Sequence, residues 1–188
     1  MKKRTSRVIG AIFILIAFAS WVILIKNFSP LQIIEFFGRE NSYILVFLLA
    51  FIGGTSIMFP FPYYLVVFTF GAGHLNPFLL GLFAGTGIML GDSTSYLVGY
   101  AGSEIMPRFL SKKFDKIKNW FLGLKKWVIF LFLYGYSTIM PLPNDILVVP
   151  LGMIKFPYWK AIVPLWLGNV TFNTLVALAG LYGFGFFI

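Results

Sequence analysis

Charged residues along this chain fall into a few short clusters, and the apolar runs between them are long. Lys2, Lys3, Arg4 and Arg7 precede an uncharged run over 8–25. As a helix rising ~1.5 Å per residue, that run reaches about 27 Å, enough to cross a bilayer. The pattern predicts an N-terminal transmembrane anchor over 1–26. A cleaved leader is the rival, since Ala17-Phe18-Ala19 has the small-x-small form of a cleavage site. Trp21 to Ile25, however, continue the apolar run where a polar stretch should stand. An outer interfacial segment is expected over 27–42, with Ser29-Pro30 as N-cap and first helical residue.

Two further apolar blocks follow, separated by one basic stretch. Residues 43–102 carry charge only at Asp92, apart from the titratable His74, and are interrupted by Pro60, Pro62 and Pro77. In 103–126, Leu110, Phe114, Ile117, Phe121 and Leu124 recur at alternating steps of four and three, which is one helical face. Lys112, Lys113, Lys116 and Lys118 flank it. Such a helix is expected to lie on an anionic membrane surface, or else to serve as a solvated connector. Residues 127–188 are apolar again and broken at Pro141, Pro143, Pro150, Pro157 and Pro164.

The two blocks repeat one another. Placing 51–102 over 132–183, an offset of 81 without gaps, gives 11 identities in 52 positions. Eight of the eleven are Gly, Pro or Ser, among them Pro60/Pro141, Pro62/Pro143, Gly71/Gly152, Gly87/Gly168 and Gly99/Gly180. These residues set backbone geometry rather than fill space, so the copies are expected to share turns and close-packing points.

Proline removes a backbone donor and clashes with the preceding turn, so each Pro-x-Pro ends one helix before the next begins. Either the segments flanking a break both span, or they form a re-entrant hairpin followed by a single crossing. Charge discriminates. With the N-terminus cytoplasmic, the re-entrant arrangement leaves only Lys26 and Arg39 outside among 15 basic residues. The expected fold is therefore an all-α membrane protein with an anchor helix and two inverted repeats of re-entrant hairpin plus transmembrane helix. The first repeat is 43–102 (hairpin 43–76, span 78–101). The second is 127–188 (hairpin 127–156, span 158–183), which places the C-terminus outside. Inverted repeats whose broken helices meet near the midplane characterise secondary transporters.

Composition agrees and excludes several classes. The chain is 59% hydrophobic and 11% charged, too little polar surface for a soluble domain of 188 residues. The net charge of +9 is read as the cytoplasmic bias of Lys and Arg, not as nucleic-acid binding. With no Cys, thiolate sites are excluded, and the single histidine, His74, leaves almost no room for a His-based metal or catalytic site. No phosphate loop, dinucleotide motif, metal-ligand cluster or Ser/His/Asp set is present, so no enzyme, cofactor or metal is expected.

The candidate chemistry is polar groups placed deep in apolar helices. Asp92 falls mid-span, and its repeat partner is Asn173. An intramembrane carboxylate is costly and reads first as functional, with a structural hydrogen bond to the opposite hairpin as the other reading. Asn144 and Asp145 follow the second break, where either is an ordinary N-cap or a group facing a substrate. Asn169 shares a face with Asn173. The half-helices starting near 63 and 144 aim their N-termini inward, a geometry that favours an anion.

Pro60-Phe-Pro62 leading to Gly71-Ala-Gly73 is followed by Gly85, Gly87, Gly91-Asp92, Tyr96, Gly99 and Gly102. This order resembles the DedA family, also called the VTT or SNARE-associated membrane domain. Met140-Pro141-Leu-Pro143-Asn144-Asp145 through Gly152, then Gly168 and Gly180, is similar to its second hairpin and span. The resemblance covers roughly 44–183. It implies a lipid-handling protein, since bacterial members are associated with recycling polyprenyl-phosphate carriers and eukaryotic relatives with phospholipid scrambling. Gly53-Gly54, Tyr63-Tyr64 and Ser137 stand near the places where the proton-coupled branch carries acidic residues and an arginine. Asn144 takes the second arginine position. The expectation is a flippase or scramblase for an anionic lipid, such as a polyprenyl phosphate or phospholipid, in a prokaryotic plasma membrane. The alternatives are a small-solute or ion carrier using the same cleft and a non-transporting membrane-organising factor. Membrane lipids are the expected partners; a homo-oligomer is left open.

Overall fold

A computed structural model describes residues 2–54, 62–104, 116, 118–119, 121, 123–139 and 143–183, with side chains from Leu15 onward. Among the described residues the chain is helical throughout. The elements are α1 (Lys2–Asn27), α2 (Pro30–Phe37), α3 (Arg39–Gly54), α4 (Tyr64–Ala72), α5 (Pro77–Gly102), α6 (Lys126–Ile139), α7 (Asp145–Met153) and α8 (Tyr158–Gly183). Pro60, Pro141, Lys112 and Lys113 lie outside the described residues.

Helix starts follow local chemistry. Ser29 accepts from Gln32 N–H while the Gln32 side chain accepts from Ser29 N–H, a capping box ahead of Pro30. Asn76 Oδ1 accepts from Phe78 N at 3.0 Å and Leu79 N at 3.2 Å, with Pro77 in the first turn of α5. The Tyr43 hydroxyl accepts from Asn76 N at 3.0 Å, which ties the start of α3 to the start of α5. Helix α2 turns by 95° from the second half of α1.

Helices α5 and α8 form the centre, with α3 and α7 packed on α5 and α4 and α6 on α8. The central pair is antiparallel. Gly81 sits against Thr174, Gly85 against Val170, Thr86 accepts from Trp166 Nε1 at 3.3 Å, and Ser93 bonds Tyr158 at 2.7 Å. Two hydrophobic cores occupy opposite ends of this pair. One gathers Ile34, Val46, Val67, Phe70, Leu80, Ile88 and Ala177. The other gathers Tyr96, Leu133, Val148, Leu151, Phe156, Ala161 and Leu165. Phe121 joins the second core, 7% exposed and edge-on to Phe156 at 5.3 Å. That residue therefore packs on the bundle, although its helical face was expected to meet the membrane; Lys116 is exposed and Lys118 half-buried.

The offset of 81 recurs in the backbone. Helices α4 and α7 are both 9 residues long and α5 and α8 both 26, and their ends coincide under the offset. The two left-handed non-glycine residues, His74 (φ 62°) and Lys155 (φ 53°), are also mates. Each closes its turn alike, with His74 N donating to Gly71 O at 3.0 Å and Lys155 N to Gly152 O at 2.9 Å. Contacts between the copies are reciprocal. A Cβ on Gly71 would strike the Ala177 carbonyl, and one on Gly152 would strike the carbonyl of Tyr96, the mate of Ala177. Likewise Gly99 meets Val149, and Gly180 meets Phe68, the mate of Val149. Helices α4 and α7 thus each pack on the long helix of the other sequence repeat.

Among the described residues one helix, α8, is both long and apolar enough to cross a membrane. The bent α1–α2 pair makes a second if counted as a single span. Helix α5 equals α8 in length, but Asp92, Ser93, Thr94 and Ser95 lower its hydropathy.

Candidate functional site

Where the two central helices pass the start of α7, the bundle changes from apolar to polar. Asp92 on α5 is 1% exposed, Asn173 and Asn169 on α8 are 0% and 5%, and Asp145 on α7 is 7%. These groups lie between the two hydrophobic cores, on the two central helices and at the start of α7.

Asn144 connects them. Its Nδ2 donates to Asp92 Oδ2 at 2.8 Å and to Asn169 Oδ1 at 3.3 Å. Asn173 Nδ2 in turn donates to Asn169 O, one turn earlier on α8, at 2.8 Å. Ser95, one turn beyond Asp92, faces Asp145, and Tyr63 lies beside Asn173. Tyr136 on α6 lies within electrostatic range of both carboxylates and donates to Pro143 O at 3.2 Å. The geometry repeats under the offset: Asn144 meets Asp92, and their mates Tyr63 and Asn173 meet as well.

Asn144 and Asp145 do not cap α7 through their side chains. Asn144 holds the N-cap position, but its backbone is helical (φ −61°, ψ −22°) and it makes no side-chain cap bond. The amide is turned across the break to Asp92, so a tertiary partner has won over a local one. Pro143 lies just before that turn and is exposed, while Pro62 lies before the corresponding turn and is buried.

Asp92 is likewise not satisfied by its own neighbours. Ser93 and Thr94 donate to Met89 O at 2.6 Å and Gly91 O at 2.7 Å within their own helix, and the carboxylate instead has the side chains of Asn144 and Asn169 beside it. All five sequence candidates, Asp92, Asn144, Asp145, Asn169 and Asn173, thus fall in one cluster. Sequence reasoning missed Ser95, Tyr63 and Tyr136. The helical step from Asp92 to Ser95 was legible, but the tyrosines enter only through the way the hairpins close.

Among the described residues, three buried polar atoms in the cluster have no hydrogen-bond partner: Asp145 Oδ1, Asn169 Nδ2 and Asn173 Oδ1. An unpaired buried polar atom costs about 1–3 kcal/mol, so this cluster is energetically unlike the apolar cores on either side of it.

No family model, curated protein or solved structure matches the chain.

Proposed function

We propose that the chain is an integral membrane transporter of inverted-repeat architecture that moves an anionic lipid, such as a polyprenyl phosphate or phospholipid, through the cleft between its two hairpins. The carrying observation is the buried, incompletely satisfied polar cluster at a helix break, joined by reciprocal contacts between repeat-related positions. Non-helical backbone at membrane depth is tolerated only where protein buries it or a wet cavity adjoins it. Broken helices facing each other across a pseudo-two-fold axis are the arrangement transporters use for binding sites.

The outer faces support membrane residence. Leu48, Ile52, Leu90, Leu97, Val98, Leu131, Phe132, Leu167 and Leu175 are all exposed on helices that build the bundle. A soluble chain does not leave so many large side chains in water. Trp127 and Trp159 are 77% and 69% exposed at the end that also carries Lys125, Lys126, Lys155 and Lys160, as befits a membrane interface with a basic cytoplasmic side. In this reading α2 is the outer interfacial helix, and the DedA resemblance supplies the lipid class.

The test is reconstitution in liposomes with a labelled lipid phosphate. Flux above empty liposomes, reduced in Asp92→Asn and Asp145→Asn, is expected. Absence of flux for every lipid tried favours a membrane-organising role, and flux unchanged in both variants removes the site assignment. Orientation is tested separately with single cysteines at His74 and Lys155, the two exposed hairpin exits, in a chain without native cysteine. An impermeant thiol reagent should reach the first only from outside and the second only from the cytoplasm; labelling from one side alone sinks the inverted topology.

A further inference from the structure

We propose that the polar cluster binds a hard cation, an alkali or alkaline-earth ion held by oxygen ligands at the Asp92 and Asp145 carboxylates. The inference rests on the same cluster as the transport reading but not on the identity of the cargo.

The starting point is that, among the described residues, no counter-charge lies beside the two carboxylates. Asp92 and Asp145 are 1% and 7% exposed and near enough to act on each other electrostatically. The described residues within 43–102, 127–154 and 161–183 include no Arg and no Lys. No basic side chain of these segments can therefore neutralise the pair. An isolated buried carboxylate is expensive, and two in mutual range more so. Neutral donors only partly answer this: Asn144 supplies one N–H to Asp92 Oδ2, and Asp145 Oδ1 has no donor.

The unpaired atoms say what is wanted. Asp145 Oδ1 and Asn173 Oδ1 are buried acceptors without a donor, and the Ser95 hydroxyl faces Asp145. The available ligands are carboxylate, amide and hydroxyl oxygens, with no sulfur or imidazole. Such a set suits alkali and alkaline-earth ions rather than zinc, copper or iron. Among the described residues no three His, Cys, Asp or Glu side chains gather, so the site holds two charges and otherwise neutral oxygens. A cation also reconciles the acidic cluster with an anionic cargo, whose phosphate two bare carboxylates would repel. Asn169 Nδ2, the remaining unpaired donor, is left for a cargo oxygen.

The test uses the full chain in detergent. Thermal unfolding is followed in choline chloride, replaced at constant ionic strength by sodium, potassium, magnesium or calcium chloride. Binding of labelled sodium and calcium to the same protein is measured in parallel. The expected result is a saturable rise of several degrees in Tm with one of these ions, and saturable binding of that ion. Asp145→Asn should raise its half-saturating concentration at least tenfold, and the surface variant Lys155→Ala should leave it unchanged. Identical melting in every salt, with no saturable label on the wild type, overturns the proposal and leaves protons as the neutralising species. The wild-type measurement decides even if the variants do not fold. Cation binding without lipid flux removes the transport reading alone, whereas flux without cation binding removes this inference alone.

Discussion

Asn144 and Asp92, 52 positions apart, are joined by a 2.8 Å hydrogen bond from amide to carboxylate at the point where the start of α7 reaches α5. Removing Asn144 leaves the Asp92 carboxylate, 1% exposed, without this donor. Asn144→Ala should therefore cost about 1–3 kcal/mol. A double-mutant cycle with Asp92→Ala should return a coupling of roughly 0.5–3 kcal/mol. Additive losses in thermal unfolding would show that the bond contributes nothing.

The glycines make a sharper contrast. At Gly152 a methyl group meets the Tyr96 carbonyl, whereas at Gly135 nothing lies within 4 Å. Gly152→Ala should destabilise by roughly 1–3 kcal/mol through overpacking. Gly135→Ala should be neutral or stabilise by up to about 1 kcal/mol, since Gly is the poorer helix former. Equal Tm shifts for the two would contradict the close approach of α7 to α5.

Helix α1 is joined to α4 by Trp21, whose Nε1 donates to Thr69 Oγ1 at 2.8 Å and whose ring stands edge-on to Phe68 at 6.0 Å. Trp21→Phe keeps an aromatic ring and loses the donor. The expected loss is about 0.5–1.5 kcal/mol, read as a fall in Tm. Thr69→Val should lose a similar amount, and the double variant little more than either alone. A loss in the double variant equal to the sum of the two would show that the bond is not formed.

At the hairpin exits, His74 and Lys155 hold left-handed backbone. A β-branched residue there is strained, and glycine is not. His74→Val should be less stable than His74→Gly by roughly 1–2 kcal/mol, and the same ordering should hold at Lys155. Lys155 also lies 4.8 Å over the Tyr100 ring, so Lys155→Gly should lose part of its advantage. Indistinguishable Val and Gly variants at His74 would rule out the positive φ.

Much of this architecture was legible before any coordinates. The 81-residue offset appears in the sequence as shared Gly and Pro, and the matching helix ends of α4 with α7 and α5 with α8 follow from it. Ser29 and Asn76 cap their helices as local chemistry dictates, because a cap needs only residues within one turn. The polar candidates were visible because a carboxylate or amide inside an apolar run is conspicuous wherever it points.

What the sequence could not decide was partnership. It left Asp145 and Asn144 as ordinary caps or as site residues; in the structure Asn144 holds the N-cap position without a side-chain cap bond and turns its amide to Asp92 and Asn169. It gave no reason to place Tyr63 beside Asn173, or to bury Phe121 against Phe156. These pairings depend on how far one helix slides along another and which face it turns. Those distances are set by packing among residues far apart in the chain, where the glycines at 71, 99, 152 and 180 allow backbones to touch. The sequence determined the repeated unit and its breaks. Only the tertiary structure brought the four polar helix positions and the break at Asn144 into a single cluster.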